Sequence, residues 1–176
     1  MRKQGGIWIV CVILVLAGCA SVRIWTSSPS IQKTGNDYFD AEFEPQLKDG
    51  QKFFTTFRLI ITNKTDKDLQ IDWVKTRYLH NGRANGGFGF EGITAKNINN
   101  PPPDTVSAGA TFSKVIWPVK LVGYRRTTDL AQPGKPTFSF GILPEGENGI
   151  LLIVNQDGKE IREKITLMIA VKEMSP

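Results

Sequence analysis

Few groups in this chain could run chemistry. There is one histidine, His80, and there are two cysteines, Cys11 and Cys19. General acid–base catalysis at neutral pH most often uses an imidazole. His80, however, stands directly before Asn81-Gly82, a turn dipeptide, where a histidine is ordinarily a surface residue. No glycine-x-serine-x-glycine elbow occurs, although residue counts leave a serine triad around His80 open. Asp66, Asp68 and Asp72 follow part of a calcium-loop spacing, but the sharp-turn glycine and closing glutamate are missing. They read as a solvated turn. A zinc site would have at most one histidine and would need carboxylates for the rest, a poor donor set. Glu145 and Glu147 share a Pro/Gly turn, whereas a glycosidase needs two carboxylates facing each other across a cleft. The glycine-rich run Gly86–Gly92 lacks the lysine and hydroxyl residue of a phosphate loop. The expectation is therefore no catalytic residue, no metal and no cofactor.

Aromatic side chains are the better candidates for a binding surface. Phe88 and Phe90 lie among glycines near the stiff run Pro101-Pro102-Pro103. At least one of the two is expected in the core, and the other is a candidate for a binding loop. Trp73 and Trp117 sit in alternating patterns that suit a core. Trp117 has the opposite parity to Phe112 and Ile116, which points it toward solvent. Tyr124-Arg125-Arg126 offers an aromatic ring and two guanidinium groups to an anionic glycan or a protein partner, or else forms a solvated edge. The candidate surface is thus Phe88, Phe90, Trp117, Tyr124, Arg125 and Arg126.

Both cysteines belong to the N-terminal segment. Arg2 and Lys3 precede an apolar run, Ile7 to Ala17, which ends in Leu16-Ala17-Gly18-Cys19 with small residues Ala20 and Ser21 after it. The run is too short for a membrane-spanning helix, which needs roughly 20 apolar residues. An uncleaved helical anchor is the alternative. The segment resembles a bacterial lipoprotein signal peptide with its lipobox. The resemblance implies removal of residues 1–18 and lipidation of Cys19, with more than one acyl chain for a durable anchor. It also implies the cell envelope. Ala20, where aspartate would signal inner-membrane retention, favours the outer membrane facing the periplasm. The mature chain then has neither a free thiol nor a disulfide, so its stability must come from its core. Its formal charge falls from +5 to +3 when Arg2 and Lys3 leave. That surplus is too small to argue for nucleic acid.

The elements that would position any site are strands. Residues 19–37 carry the anchor and a polar, turn-rich stretch that reads as a flexible linker, with Val22, Ile24 and Trp25 either joining the domain edge or meeting the lipid interface. Residues 38–176 then read as one domain. Phe53, Thr55, Phe57, Leu59 and Ile61 alternate with Phe54, Thr56, Arg58, Ile60 and Thr62, a half-buried strand. Leu69, Ile71 and Trp73 predict a second strand returning antiparallel to it. Further strands are expected at Thr76–His80, Thr111–Trp117 and Phe138–Ile142, and a terminal hairpin turns at Asn155–Lys159. About eight short strands and no helical period argue for an antiparallel β-sandwich, with a partly closed barrel as the rival. The pattern resembles the immunoglobulin-like domains of envelope lipoproteins, without the cysteine–tryptophan–cysteine signature.

The leading expectation is a membrane-anchored, non-enzymatic lipoprotein whose domain binds or scaffolds another envelope protein through loops or an edge strand. One alternative is a carbohydrate-binding module for peptidoglycan or surface polysaccharide. Another is a hydrolase or transferase whose site would be a deep polar pocket holding His80 or clustered carboxylates.

Overall fold

The computed structural model describes residues 22–48, 50–94, 96–126 and 136–174. The signal segment and Cys19 lie outside the described residues. Within them the chain is strands and loops, plus one 3-10 turn at Val119–Leu121. The order begins with β1 (Val22–Ser28), β2 (Gln32–Gly35), β3 (Phe39–Leu47) and β4 (Phe54–Asn63). It continues with β5 (Leu69–Ile71), β6 (Arg77–His80), β7 (Arg83–Ala84), β8 (Phe88–Phe90) and β9 (Asp104–Val106). It ends with β10 (Thr111–Pro118), β11 (Val122–Arg126), β12 (Pro136–Phe140), β13 (Gly146–Gln156) and β14 (Lys159–Met174).

Pairing is antiparallel throughout, in two main sheets that do not close into a barrel. One runs β2-β3-β4-β10-β8 and the other β1-β14-β13-β5-β9, with β6 also on β13 and β7 on β6. β11 and β12 form a separate ribbon. The alternation in β4 sends Phe57, Leu59 and Ile61 inward. Ile150, Leu152 and Val154 of β13 and Ile165, Leu167 and Ile169 of β14 face them across the interior, and all join one buried cluster. Rings cross the gap between sheets: Phe57 to Tyr78 at 6.3 Å and Tyr78 to Phe88 at 5.9 Å between centroids. Each such side chain stabilises the fold by roughly 1.5–3 kcal/mol when fully buried, so this layer is the main cohesive term.

Two hairpins have the turns their residues predict. Asn81-Gly82 and Asp157-Gly158 both adopt positive φ, at 48° and 74° and at 49° and 76°. That backbone twist matches antiparallel strands and favours asparagine, aspartate and glycine.

Three expectations need correction. First, the linker does not extend to Asp37. β1 pairs with β14 from Val22↔Met174 to Ser28↔Met168, and β2 pairs with β3 from Gln32↔Phe43 to Gly35↔Asp40. The stretch looks polar because an edge strand needs few apolar residues; its cohesion comes from the ladder. Trp25 adds packing against the core and meets Phe53 edge-on at 6.1 Å. Second, β4 does not keep one parity from Phe53. Gln46 pairs with Thr56 but Leu47 with Phe54, so Thr55 is an extra residue in a bulge, and Phe54 turns inward. Third, β5 does not return beside β4. It pairs with β13 and β9 in the opposite sheet, so the chain crosses between sheets at residues 63–68.

Asn63 makes that crossing feasible. Its side chain is 2% exposed. Its Nδ2 donates to the carbonyls of Lys67 at 2.7 Å, Val106 at 3.1 Å and Ser107 at 3.1 Å. Its Oδ1 accepts the Thr65 amide at 3.0 Å and hydroxyl at 2.8 Å. Gln156 adds a donor to Thr65 Oγ1 and Lys67 O. One amide thus satisfies a corner at which neither sheet ladder can reach the backbone. Asn63→Ala should destabilise the domain by about 3 kcal/mol, because all the hydrogen bonds of its side chain at this part-buried corner are lost together. Urea unfolding of the two proteins measures it, and a loss under about 1 kcal/mol contradicts this role.

The other buried amide, Asn148, donates to Pro144 O at 2.8 Å and Gly146 O at 3.1 Å and accepts the hydroxyl of Tyr78. Burial pushes the Tyr78 phenol well above its ordinary range. The neutral form is therefore favoured in the fold. Its contribution is fully present below the unfolded value near pH 10 and is lost as pH rises through the folded one. Absorbance titration should show one tyrosine ionising only with alkaline unfolding, and Tyr78→Phe should remove that step. Ionisation of all tyrosines in the folded protein at ordinary pH contradicts it.

Candidate functional site

β10 carries a half-buried cation on its core-facing side. Phe112 and Ile116 point inward, as their parity requires, and so does Lys114 between them. An ammonium on a core face needs compensation. Lys114 Nζ pairs with the carboxylate of Asp104. It also lies 3.9 Å from the centre of the Phe90 ring, 5.4 Å from Phe112 and 5.9 Å from Trp73. The same Asp104 carboxylate accepts the Trp73 Nε1–H at 2.7 Å. Rings with negative faces and one carboxylate therefore surround the cation. Because Asp104 is on β9 and Lys114 on β10, the pair ties the edge of one sheet to the other.

On the outer side of β10, Trp117 lies over the neighbouring strand. A Cβ built on Gly89 would fall 2.5 Å from Trp117 Nε1, so glycine is what leaves room for the indole. Trp117 meets Phe140 of β12 edge-on, with centroids 4.8 Å apart and planes at 61°. Phe140 remains 39% exposed and Val115 46%. These three, with Phe90, Glu91, Gly92, Ile93, Ser113 and Lys114, line an open cleft of about 710 Å³. Its surface is mainly apolar. Its ionisable groups are Lys114, already matched by Asp104, and Glu91 at the margin.

The candidate surface residues divide. Phe88 is 1% exposed and belongs to the core, packed edge-on to Tyr78, so its assignment to a binding surface is corrected. Phe90 is 4% exposed; it cannot present an exposed ring, but it forms an inner wall of the cleft. Trp117 is half-buried and on the cleft. Tyr124, Arg125 and Arg126 lie on β11, opposite Phe138, Thr137 and Pro136, and their side chains are outside the described part. Pro101 is buried and lines smaller clefts with Trp73, while Pro102 and Pro103 are exposed.

The polar candidates have structural partners. His80 Nε2 lies 3.0 Å from the Glu145 carbonyl at an exposed hairpin end. Asp68 accepts the Ala108 amide at 3.0 Å, joining two loops, and Asp72 accepts the Lys75 amide at 2.9 Å within its own turn. Glu147 lies 3.8 Å from Lys164. Among the described residues no three histidine, cysteine, aspartate or glutamate side chains gather as a metal site. Sequence reasoning missed Lys114, Asp104, Val115 and Phe140. A signal for Lys114 did exist: it shares the parity of Phe112 and Ile116. Asp104 had none, because its loop has no period.

Comparison with known protein families, curated proteins and solved structures found no match.

Gly89→Ala should push the Trp117 indole away from its place over β8 and separate it from Phe140, with a stability loss of about 1 kcal/mol. Tryptophan fluorescence and side-chain NMR read the displacement. An unchanged Trp117 environment contradicts the close approach.

Proposed function

We propose that this chain is a lipoprotein of the bacterial envelope, anchored through lipid on Cys19. Its immunoglobulin-like β-sandwich binds another envelope protein and does not perform catalysis. Ala20 places it by preference at the outer membrane, facing the periplasm. The observation that carries the binding reading is the cleft of about 710 Å³ beside β10, where Val115, Trp117 and Phe140 offer apolar surface at an opening of the sheet. A rigid framework that gathers apolar side chains around an open cleft has the usual form of a docking site. The two sheets supply the framework, and the lipid confines it to one surface. The Trp117–Phe140 pair also favours a second reading, a module for peptidoglycan or surface polysaccharide, since exposed aromatic rings can stack on sugars.

The test is made in cells with the full chain. A photo-crosslinking residue replaces Val115 in one protein and Arg162, on β14 of the other sheet, in a second. The Val115 position should give a discrete protein adduct that Arg162 does not, and Cys19→Ala should lower its yield severalfold by releasing the domain from the membrane. Equal adducts at both positions, sugar adducts alone, or a Cys19→Ala protein with full yield and full cellular function overturns the proposal.

A further inference from the structure

The cleft draws its walls from both faces of one strand. Ser113, Val115 and Trp117 stand on the outer side of β10, while Lys114 stands on the core side together with Phe90 of β8. Successive strand residues point to opposite faces, so a pocket on a sheet face collects one parity only. A pocket that collects both lies along a strand edge.

The register identifies that edge. The Asn63 amide donates to Ala110 O at 2.9 Å, which makes Asn63 and Ala110 a hydrogen-bonded pair. Alternation along the ladder then turns the main-chain groups of Phe112, Lys114 and Ile116 toward β4. Those of Thr111, Ser113, Val115 and Trp117 turn the other way. On that side β8 covers only Ile116 to Pro118. The Val119 amide, donating to Gly87 O at 3.1 Å, keeps the same parity. β8 ends at Phe90, and Gly92, at φ +88°, carries the chain off in a turn. Thr111, Ser113 and Val115 therefore have no strand partner on this side among the described residues. An inward-pointing charge on an edge strand is one device by which proteins discourage pairing with another chain. Here that charge, on Lys114, is matched by Asp104 and faced by three rings, so an incoming strand does not meet it unpaired.

We propose that this edge receives an extended segment of another polypeptide, added as a strand beside Thr111–Val115. The inference rests on the binding reading above and names the chemistry of the partner. Main-chain groups of the guest pair with those of Thr111, Ser113 and Val115. Alternate guest side chains rest on Phe90 and Ile93 on one side and on Val115, Trp117 and Phe140 on the other, so the guest is apolar on both faces. Glu91 has no ion pair among the described residues, whereas Lys114 is matched, so the guest carries a lysine or arginine beside Glu91. A second copy of this chain is a poorer occupant. Its β10 has one cation, Lys114, which is engaged with its own Asp104.

The test selects random decapeptides against the full chain in detergent and measures affinities by titration. The best binders should carry a basic residue. N-methylation of alternate amides should abolish binding in one register and leave it within twofold in the other. Ser113→Pro removes an amide that faces the open edge and leaves the β4 ladder intact. It should weaken binding about tenfold or more, while Ser113→Ala changes it less than twofold. Hydrogen exchange at Ser113 and Val115 should slow on peptide addition. If Ser113→Pro fails to fold, the two methylated peptide registers decide the question. No β10-dependent binder, equal binding by both methylated registers, a neutral Ser113→Pro, or self-association through this edge in place of peptide binding overturns the inference. If these tests fail while the Val115 photo-adduct persists, the binding reading stands and only strand addition is removed.

Discussion

The amide of Asn63 sets the topology. At the end of β4 the chain must leave one sheet and enter the other, and a crossing corner has no neighbouring strand to take up its main-chain groups. Asn63 supplies donors to carbonyls at three positions and an acceptor for Thr65, drawn from both sides of the corner. Because Val106 and Ser107 are among its partners, the same side chain also holds the approach to β10. β10 then has to lie beside β4 with Phe112 opposite Ile61. The parity of every later residue in that strand follows, including which main-chain groups face outward. A buried amide 50 residues earlier in the chain than Ser113 thus decides which edge is open.

The parts of the fold legible in the sequence were those governed by local periodicity. Phe57, Leu59 and Ile61 announce a strand because every second residue must meet the core. Asp157-Gly158 announces a hairpin because few residue pairs tolerate two positive φ angles. Assigning β5 to a sheet required a different kind of information. Leu69 and Ile71 look alike whether their strand pairs with β4 or with β13; the decision rests on Asn63, which an alternation pattern treats as one more turn residue. β1 and β2 were illegible for a related reason. Their cohesion lies in backbone pairing with β14 and β3, and composition does not record it.

The candidate surface was legible only in part. Trp117 was placed outward from its parity, and the structure puts it half-buried on the cleft. Phe88 was misplaced because glycines on either side suggested a loop, whereas Gly89 serves to admit the neighbouring indole. Lys114 and Asp104 are 10 residues apart in sequence and lie in opposite sheets. Their attraction offsets the cost of turning a cation inward, and the rings above it add the favourable face of their quadrupoles. This arrangement changes the character of the seam between sheets. The seam is closed by an ion pair below, and the outward residues of β10 above it, Thr111, Ser113, Val115 and Trp117, carry no charge.

The early start of β1 has a mechanical meaning for an anchored protein. Only Ala20 and Ser21 separate Cys19 from Val22, the first of the described residues and one already paired with β14. A chain of three residues reaches roughly 10 Å at full extension. If lipid holds Cys19, the domain has almost no radius of search: it stands as a short post with one flank against the headgroups. Its orientation is then set by the bilayer, and any component that meets it must pass within the height of the domain itself. Lengthening that two-residue spacer would give the protein a reach that its fold does not otherwise allow.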